Sequence, residues 1–245
     1  MKWVNDDYSH NLRIYEKRDA RKAIIVYCLI LGSAFFQGWF YTTNLNVYVL
    51  NLSQIGIPLL ITILFLYFFH NSRENISSIG IHAKNLKKSI ISGIAGGVLL
   101  LAIQILLYII QGKSISFTIN QLFLNWMIYI VAGFEEEVLF RGYIQTRMSG
   151  LINSQLVISI INSLLFLLIH YPVRWVVSGM ITIHVLSFTY IICLIVLHFF
   201  CDAVYKRTNC LWGSVVLHII YNAVGAMNYN SIKVKYGEIT THLFR

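Results

Sequence analysis

The feature that most constrains this chain is a series of apolar runs, each near the length that crosses a bilayer as a helix. They are Ala23–Tyr41, Leu50–Phe69, Ser89–Ile110, Leu122–Met148, Leu151–Tyr171, Met180–Val204 and Cys210–Asn228. Inside hydrocarbon every backbone polar group must be satisfied within its own segment, so repeated runs of this kind fold as spanning helices. Of the 245 residues, 57% are hydrophobic and 12% charged, where soluble domains carry roughly 25% charged residues. Little is left for a separate soluble domain. The expected fold class is all-α, a polytopic transmembrane helical bundle of about seven to eight spanning helices. The expected division is a basic tail over 1–22, one transmembrane domain over 23–228 with its motif-bearing core at 121–228, and a C-terminal tail over 229–245. Pro58 lies inside the second run and is expected to kink it, and Pro172–Gly179 is expected to form a short interfacial helix between the fifth and sixth.

Where the cations fall sets orientation. The tail before residue 23 carries Lys2, Arg13, Lys17, Arg18, Arg21 and Lys22, and the loop His70–Lys88 carries Arg73, Lys84, Lys87 and Lys88. The loop Thr42–Val49 has none, the next outer loop has Lys113, and Arg147, Arg174 and Lys206 with Arg207 follow in alternation. This pattern places the N-terminus in the cytoplasm. Seven spans would leave Lys233, Lys235 and Arg245 outside, a conflict that an eighth or re-entrant element would remove. The net charge of +9 is explained by these loops, so nucleic acid is not an expected partner; the lipid bilayer is. The polar N-terminus precedes an apolar run with no small-x-small exit, unlike a cleavable signal peptide. Cys28, Cys193, Cys201 and Cys210 form no CxxC pair and read as buried reduced thiols.

Against this background the polar groups inside the apolar runs stand out. From Ile76 to Gly237 the only acids are Glu135, Glu136, Glu137 and Asp202. A charge at the bilayer centre costs at least ~2.5 kcal/mol, so each must be paired, protonated or wetted. At about 100° per residue the three glutamates point in three directions. Glu137 and Arg141 are i, i+4 with the acid first, so they share a face and can pair. Glu136 is left free for chemistry, and Glu135 has no assigned role. His170 closes the fifth run, and His218 and Asn222 stack one turn apart in the seventh. A carboxylate, two imidazoles and a carboxamide are the parts needed to activate a water and hold an oxyanion, provided the three helices meet. By helix rise His170 falls near the outer end of its helix and His218 about 12 Å from the inner end of its own, so the spacing does not assign the face on which such a site opens. His184 and His198 read as interhelical hydrogen-bond partners, and Asp202 with Lys206 as an interfacial salt bridge.

Other chemistries lack their signatures. There is no HExxH helix, no GxSxG elbow and no phosphate loop. A metal site built from Glu136, His170 and His218 is one alternative, since two His and one Glu form a known catalytic zinc set.

Three stretches carry a family resemblance: "EEVLFRG" (Glu136–Gly142), "FLLIH" (Phe166–His170) and "LWGSVVLHIIYN" (Leu211–Asn222). In order and in kind they resemble the EExxxR, FxxxH and HxxxN/D motifs of the CPBP intramembrane proteases. This family, also called the CAAX protease and bacteriocin-processing or Abi family, includes the Ras-converting prenyl-protein endopeptidases. The resemblance covers roughly residues 121–228. It implies that Glu136 and His170 activate the attacking water, that His218 and Asn222 stabilise the oxyanion, and that Glu137 with Arg141 supports the site. It further implies a glutamate-dependent enzyme without a cofactor, zinc being the disfavoured alternative. The expected activity is an intramembrane endopeptidase acting on a peptide or protein tail at the membrane. Abundant Asn, Ile, Lys and Tyr suggest a bacterial plasma membrane, hence peptide (pheromone or bacteriocin) processing or self-immunity. A proton-coupled transporter would share the intramembrane acids but favours inverted repeats, which are not visible here. A non-enzymatic immunity or scaffold protein is the third reading.

Overall fold

The computed structural model describes residues 4–43, 45–71, 74–112 and 119–223. Among them the chain is helical throughout with no strand. The helices are α1 (Asp6–Leu12), α2 (Lys17–Tyr41), α3 (Val47–Asn71), α4 (Leu86–Ile110), α5 (Ile119–Glu136), α6 (Gln155–Leu168), α7 (Pro172–Ser178), α8 (Phe188–Thr208) and α9 (Trp212–Tyr221). Each of the seven apolar runs contributes a helix. Four segments are long and apolar enough to cross a membrane: Lys17–Tyr41, Leu86–Ile110, Gln155–Ser178 and Phe188–Thr208. Leu52–Tyr67 and Trp212–Tyr221 are shorter apolar helices. Large apolar side chains such as Leu29, Ile63, Ile91, Leu106 and Leu164 are exposed on the outer helix faces, the arrangement lipid requires. The protein is an integral membrane protein. The tail calls over 229–245, the end of the seventh run beyond 223, and Arg73 and Lys113 lie outside the described residues.

Several boundaries differ from the sequence expectation. The fourth run is not one α-helix: α5 ends at Glu136 and Glu137–Gln145 winds as π-helix, followed by a 3₁₀ turn at Met148–Gly150. All nine π-helical residues are buried, as befits a segment that packs on every side; π turns are rare and concentrate at functional sites. The sixth run begins later than hydropathy suggests. Residues Met180–Ser187 form a loop with a short 3₁₀ turn at Ile183–Val185, and Ser187 caps α8 through its hydroxyl, which accepts from Tyr190 N. Between α6 and α8, Pro172 starts α7 at the first helical turn, where its missing N–H costs nothing.

Close contact between α4 and α9 sets the middle of the bundle. Ser89, Gly93 and Gly97 recur every fourth residue on the buried face of α4. A Cβ on Gly93 would lie 2.1 Å from the Gly213 carbonyl oxygen, and one on Gly97 would lie 2.9 Å from Ile220 Cβ. Small residues at this spacing let two backbones touch, a contact that in lipid replaces hydrophobic driving force. Ser89 Oγ donates to Cys210 O at 2.7 Å and accepts from Gly213 N at 2.9 Å, which fixes the start of α9 against α4.

At the opposite end from α7, a second polar cluster ties α1, α6, α8 and the π-helical segment. Asp202 accepts from Gln145 Nε2 (2.5 Å), Ser159 Oγ (2.7 Å) and Lys206 Nζ (3.0 Å). Both Asp202 and Lys206 are fully buried. The expected i, i+4 salt bridge forms, and it is enclosed because α1 lies over it; Lys206 spends its remaining donors on Gln155 O and Ser159 Oγ. Tyr8 of α1 accepts from Gln145 Nε2 at 3.3 Å and meets Tyr205 edge-on. Burial pushes the Tyr8 phenol well above the ordinary tyrosine pKa, so it stays a hydroxyl. Among the cysteines, Cys201 and Cys210 are buried as expected; Cys193 is half-buried and Cys28 exposed on α2, because the outer face of a spanning helix is covered by lipid rather than protein.

Candidate active site

The apolar run at the end of α5 delivers three consecutive carboxylates to three environments. Glu137 is fully buried at the first π-helical residue. Its Oε1 lies 2.9 Å from Arg141 Nη1, both side chains being 0% exposed. The guanidinium also covers the Phe166 ring at 4.5 Å, so the cation is held by an acid on one side and a π face on the other. The same Oε1 accepts from His218 Nδ1 at 2.8 Å. Glu136, one residue back, is a quarter exposed and turns its Oε2 to within 3.6 Å of His218 Nε2. Glu135 is 9% exposed and lies outside the cavity the other residues line.

His218 therefore bridges two glutamates. Its Nδ1 faces a carboxylate already paired with a guanidinium, so that nitrogen carries the proton, and its Nε2 is directed at Glu136. This assignment follows from the hydrogen-bond pattern. His170 sits in the turn that closes α6. Its Nδ1 lies 2.8 Å from Phe166 O, a pure acceptor, so Nδ1 is the donor and Nε2 is left with its lone pair. Arg174 Nη1 donates to His170 O at 2.6 Å and stabilises that turn. Phe166 separates and orients the imidazoles, with ring centroids 5.1 Å from His170, 5.6 Å from His198 and 6.1 Å from His218.

Glu136, His170, His218 and Asn222 line one cavity of about 520 Å³. The three helices that the motifs occupy do meet. His170 and His218 lie at one level, despite their unequal positions in their helices, because α9 starts deep: Ser214 donates to Cys201 O at 2.8 Å, and Cys201 is seven residues, roughly 10 Å, inside the end of α8.

The rest of the lining was not read from the sequence. Gln104, Leu107, Tyr108 and Gln111 of α4 face the cavity, as do Tyr129 and Ala132 of α5 and Tyr190, Cys193, Leu194 and Leu197 of α8. The signal existed. Gln104, Tyr108 and Gln111 recur at i, i+4, i+7 in an apolar helix, a polar stripe that lipid would not tolerate. His198 is fully buried against Phe166 and outside the cavity; neither ring nitrogen has a protein hydrogen bond, so the interhelical bond expected of it is not made within the protein.

Among the described residues, the one group of three whose ligand atoms fall within 4.8 Å of one another is Glu137, Cys201 and His218, not Glu136, His170 and His218. In that group the Glu137 oxygen is engaged by Arg141 at 2.9 Å and by His218 Nδ1 at 2.8 Å. An ion held by this group would lie beside the buried Arg141 guanidinium, whose like charge opposes it.

Residues 118–224, which hold Glu136, Glu137, Arg141, His170, His218 and Asn222, match the family model described as Type II CAAX prenyl endopeptidase Rce1-like. Over that stretch the chain is similar to the Rce1-like CAAX proteases. Such proteases hydrolyse peptide bonds, and their substrate is a peptide or protein met in a lipid environment. No curated protein and no solved structure matches the chain.

Proposed function

We propose that the Rce1-like domain is a glutamate-dependent, metal-free endopeptidase whose catalytic residues are Glu136, His170, His218 and Asn222. The observation that carries this reading is their convergence on a single cavity of about 520 Å³ from α5, α6 and α9. A water between Glu136 and His170 Nε2 gives up a proton to this pair as its oxygen attacks the scissile carbonyl. The proton then passes to the departing amide nitrogen as the C–N bond breaks, leaving a carboxylic acid and an amine. Glu137 orients His218 through Nδ1, as a carboxylate behind an imidazole does in a hydrolase triad. With Nε2 protonated, that edge and the Asn222 amide hold the oxyanion. Glu137 and Arg141 act through His218 and are positioning residues.

The catalytic core occupies 121–228 within a single membrane domain, preceded by the basic tail over 1–22. The setting is a bacterial plasma membrane, a reading supported by the abundance of Asn, Ile, Lys and Tyr, with the N-terminus cytoplasmic, supported by the distribution of Lys and Arg. The substrate class is a small exported peptide, in pheromone or bacteriocin processing or in self-immunity. The test is mass spectrometry of peptides from membranes and medium with the native protein and with Glu136→Gln, which keeps side-chain volume. A peptide terminus present only with the native protein supports the reading and names the substrate. Equal termini with both proteins, with Glu136→Gln retaining the phenotype of the native chain, would establish a binding or immunity protein instead.

A further inference from the structure

Two ends of the bundle differ in charge, and the cavity belongs to one of them. At the first end, α1, the start of α2, the turn Ile76–Ile79, the start of α4, the turn after the π-helical segment and the end of α8 are bonded together. Asn5 N donates to Lys206 O, Tyr15 OH to Ser78 O, Asn85 Nδ2 to Thr208 O, Ser149 Oγ to Leu12 O, and Leu211 N to Gly80 O. Arg13, Lys17, Arg18, Arg21, Lys22, Lys84, Lys87, Lys88 and Arg207 are all exposed there. At the far end, among the described residues, the cation is Arg174, which is committed to His170 O and to the face of Tyr190.

The cavity runs from mid-depth to that far end. Leu217, beside His218, touches α4 at Gly96, ten residues or roughly 15 Å from the basic start of α4. Gln111, at the mouth, is fifteen residues or roughly 22 Å further along the same helix. The mouth residues Gln111, Ser187 and Thr189 are exposed. Toward the basic end the cavity is sealed. Glu137, Arg141, Phe166, His198 and Cys201 lie beneath it, each fully buried, and the closed Asp202–Lys206 cluster lies beneath them.

Cations next to spanning helices are retained on the cytoplasmic side. We infer that the catalytic cavity opens on the extracytoplasmic face and takes a peptide segment presented from outside the membrane, not a cytoplasmic protein tail. This deepens the protease reading and rests on it only for the word catalytic. The mouth suits a main chain: Gln111, Ser187, Thr189, Tyr108 and Tyr190 offer amides and hydroxyls, and among the described lining residues the single ionisable carboxylate is Glu136 at the floor.

The test is cysteine accessibility in intact cells. Cys28 and Cys193 are replaced by Ser, Cys201 and Cys210 being buried. Single cysteines are then placed in the full-length protein as Gln111→Cys, Thr189→Cys, Arg21→Cys and Lys87→Cys, and treated with a membrane-impermeant maleimide before and after permeabilisation. The inference expects Gln111→Cys and Thr189→Cys to label in intact cells to the level reached after permeabilisation, and Arg21→Cys and Lys87→Cys to label only after it. The reverse pattern, or mouth cysteines that label only after permeabilisation, overturns it. Labelling does not need turnover. If the mouth labels from outside while Glu136→Gln changes no peptide terminus, the orientation stands and the protease reading falls.

Discussion

Replacing Glu137 with Gln should unfold the protein before it impairs chemistry. The Glu137 carboxylate and the Arg141 guanidinium are both 0% exposed and 2.9 Å apart. At that distance and an effective dielectric of 20, the Coulomb attraction is about 6 kcal/mol. Part of it is offset by the cost of burying both ions, but that cost is not recovered when only one partner is removed. The Arg141 cation would remain buried against the Phe166 ring without the carboxylate that pairs with it. Breaking a buried pair from one side costs ~3–5 kcal/mol. For a chain of this size 1 kcal/mol moves Tm by about 2–4 °C, so the expected drop is roughly 6–20 °C. The assay is thermal unfolding of purified protein in detergent micelles. The double variant Glu137→Gln/Arg141→Met removes both charges at similar volume and should recover at least half of the drop, because it leaves no lone ion. A single variant that melts within about 2 °C of the native protein would refute the buried pair. So would a double variant no better than the single.

The other expectations contrast positions that look alike in sequence. Glu136→Gln should abolish processing yet melt within about 2 °C of the native protein, because its carboxylate faces the cavity and not a buried cation; melting and peptide mass spectrometry read the two effects separately. Gly93→Ala should lose about 1–3 kcal/mol of stability by overpacking, since its Cβ would sit 2.1 Å from the Gly213 carbonyl oxygen. Gly32→Ala, with open space around it, should be neutral or gain about 0.5–1 kcal/mol from helix propensity, as Tm will show. Tyr8→Phe should lose about 1 kcal/mol with the Gln145 hydrogen bond, whereas Tyr8→Ala should lose ~3–5 kcal/mol by emptying the pocket beside Tyr205; limited proteolysis should show α1 released in the second case only.

The parts of the site legible in the sequence are those where lipid makes a polar residue conspicuous. Glu136, Glu137 and Arg141 interrupt an apolar run, and i, i+4 spacing pairs the last two although the segment is π-helical, since Cβ positions four apart stay on one side of either helix. His218 and Asn222 were legible for the same reason. What the sequence did not carry is which helix faces which. The Ser89, Gly93, Gly97 stripe says that α4 packs closely on a partner, but Gly213 becomes that partner only through the turn at Asn209–Leu211, where Asn209 adopts a left-handed φ of 50°. The depth of α9, and so the meeting of His170 with His218, follows from that turn and not from hydropathy. The Asp202–Lys206 pair was legible from its spacing, but its burial was not, because α1 covers it through Tyr8, a residue in a polar tail that hydropathy places outside the domain.

The three adjacent glutamates show why the proposed catalytic carboxylate, set in an apolar bundle, does not come alone. A base open to a cavity must be free of strong partners, so the cation that would stabilise its charge has to be directed elsewhere. Arg141 is directed to Glu137, and Glu137 in turn holds His218 Nδ1 at 2.8 Å, which turns the imidazole's other edge toward Glu136. The second carboxylate thus keeps the guanidinium off the first and fixes the imidazole that faces it. Both tasks need a residue one position along the helix, close enough to share the histidine and rotated enough to be buried. At the junction of α5 with the π-helical segment, consecutive residues meet that requirement, with Glu136 on the wet side and Glu137 on the dry side. A one-residue deletion at Glu135 that draws the following residues back by one would put Glu137 in the cavity and Val138 at the buried position beside Arg141. Such a variant should lose the ion pair although a carboxylate still faces the cavity, whereas Glu135→Gln, which shifts nothing, should retain processing. Loss of processing in Glu135→Gln at unchanged Tm would show that the third carboxylate also serves the chemistry.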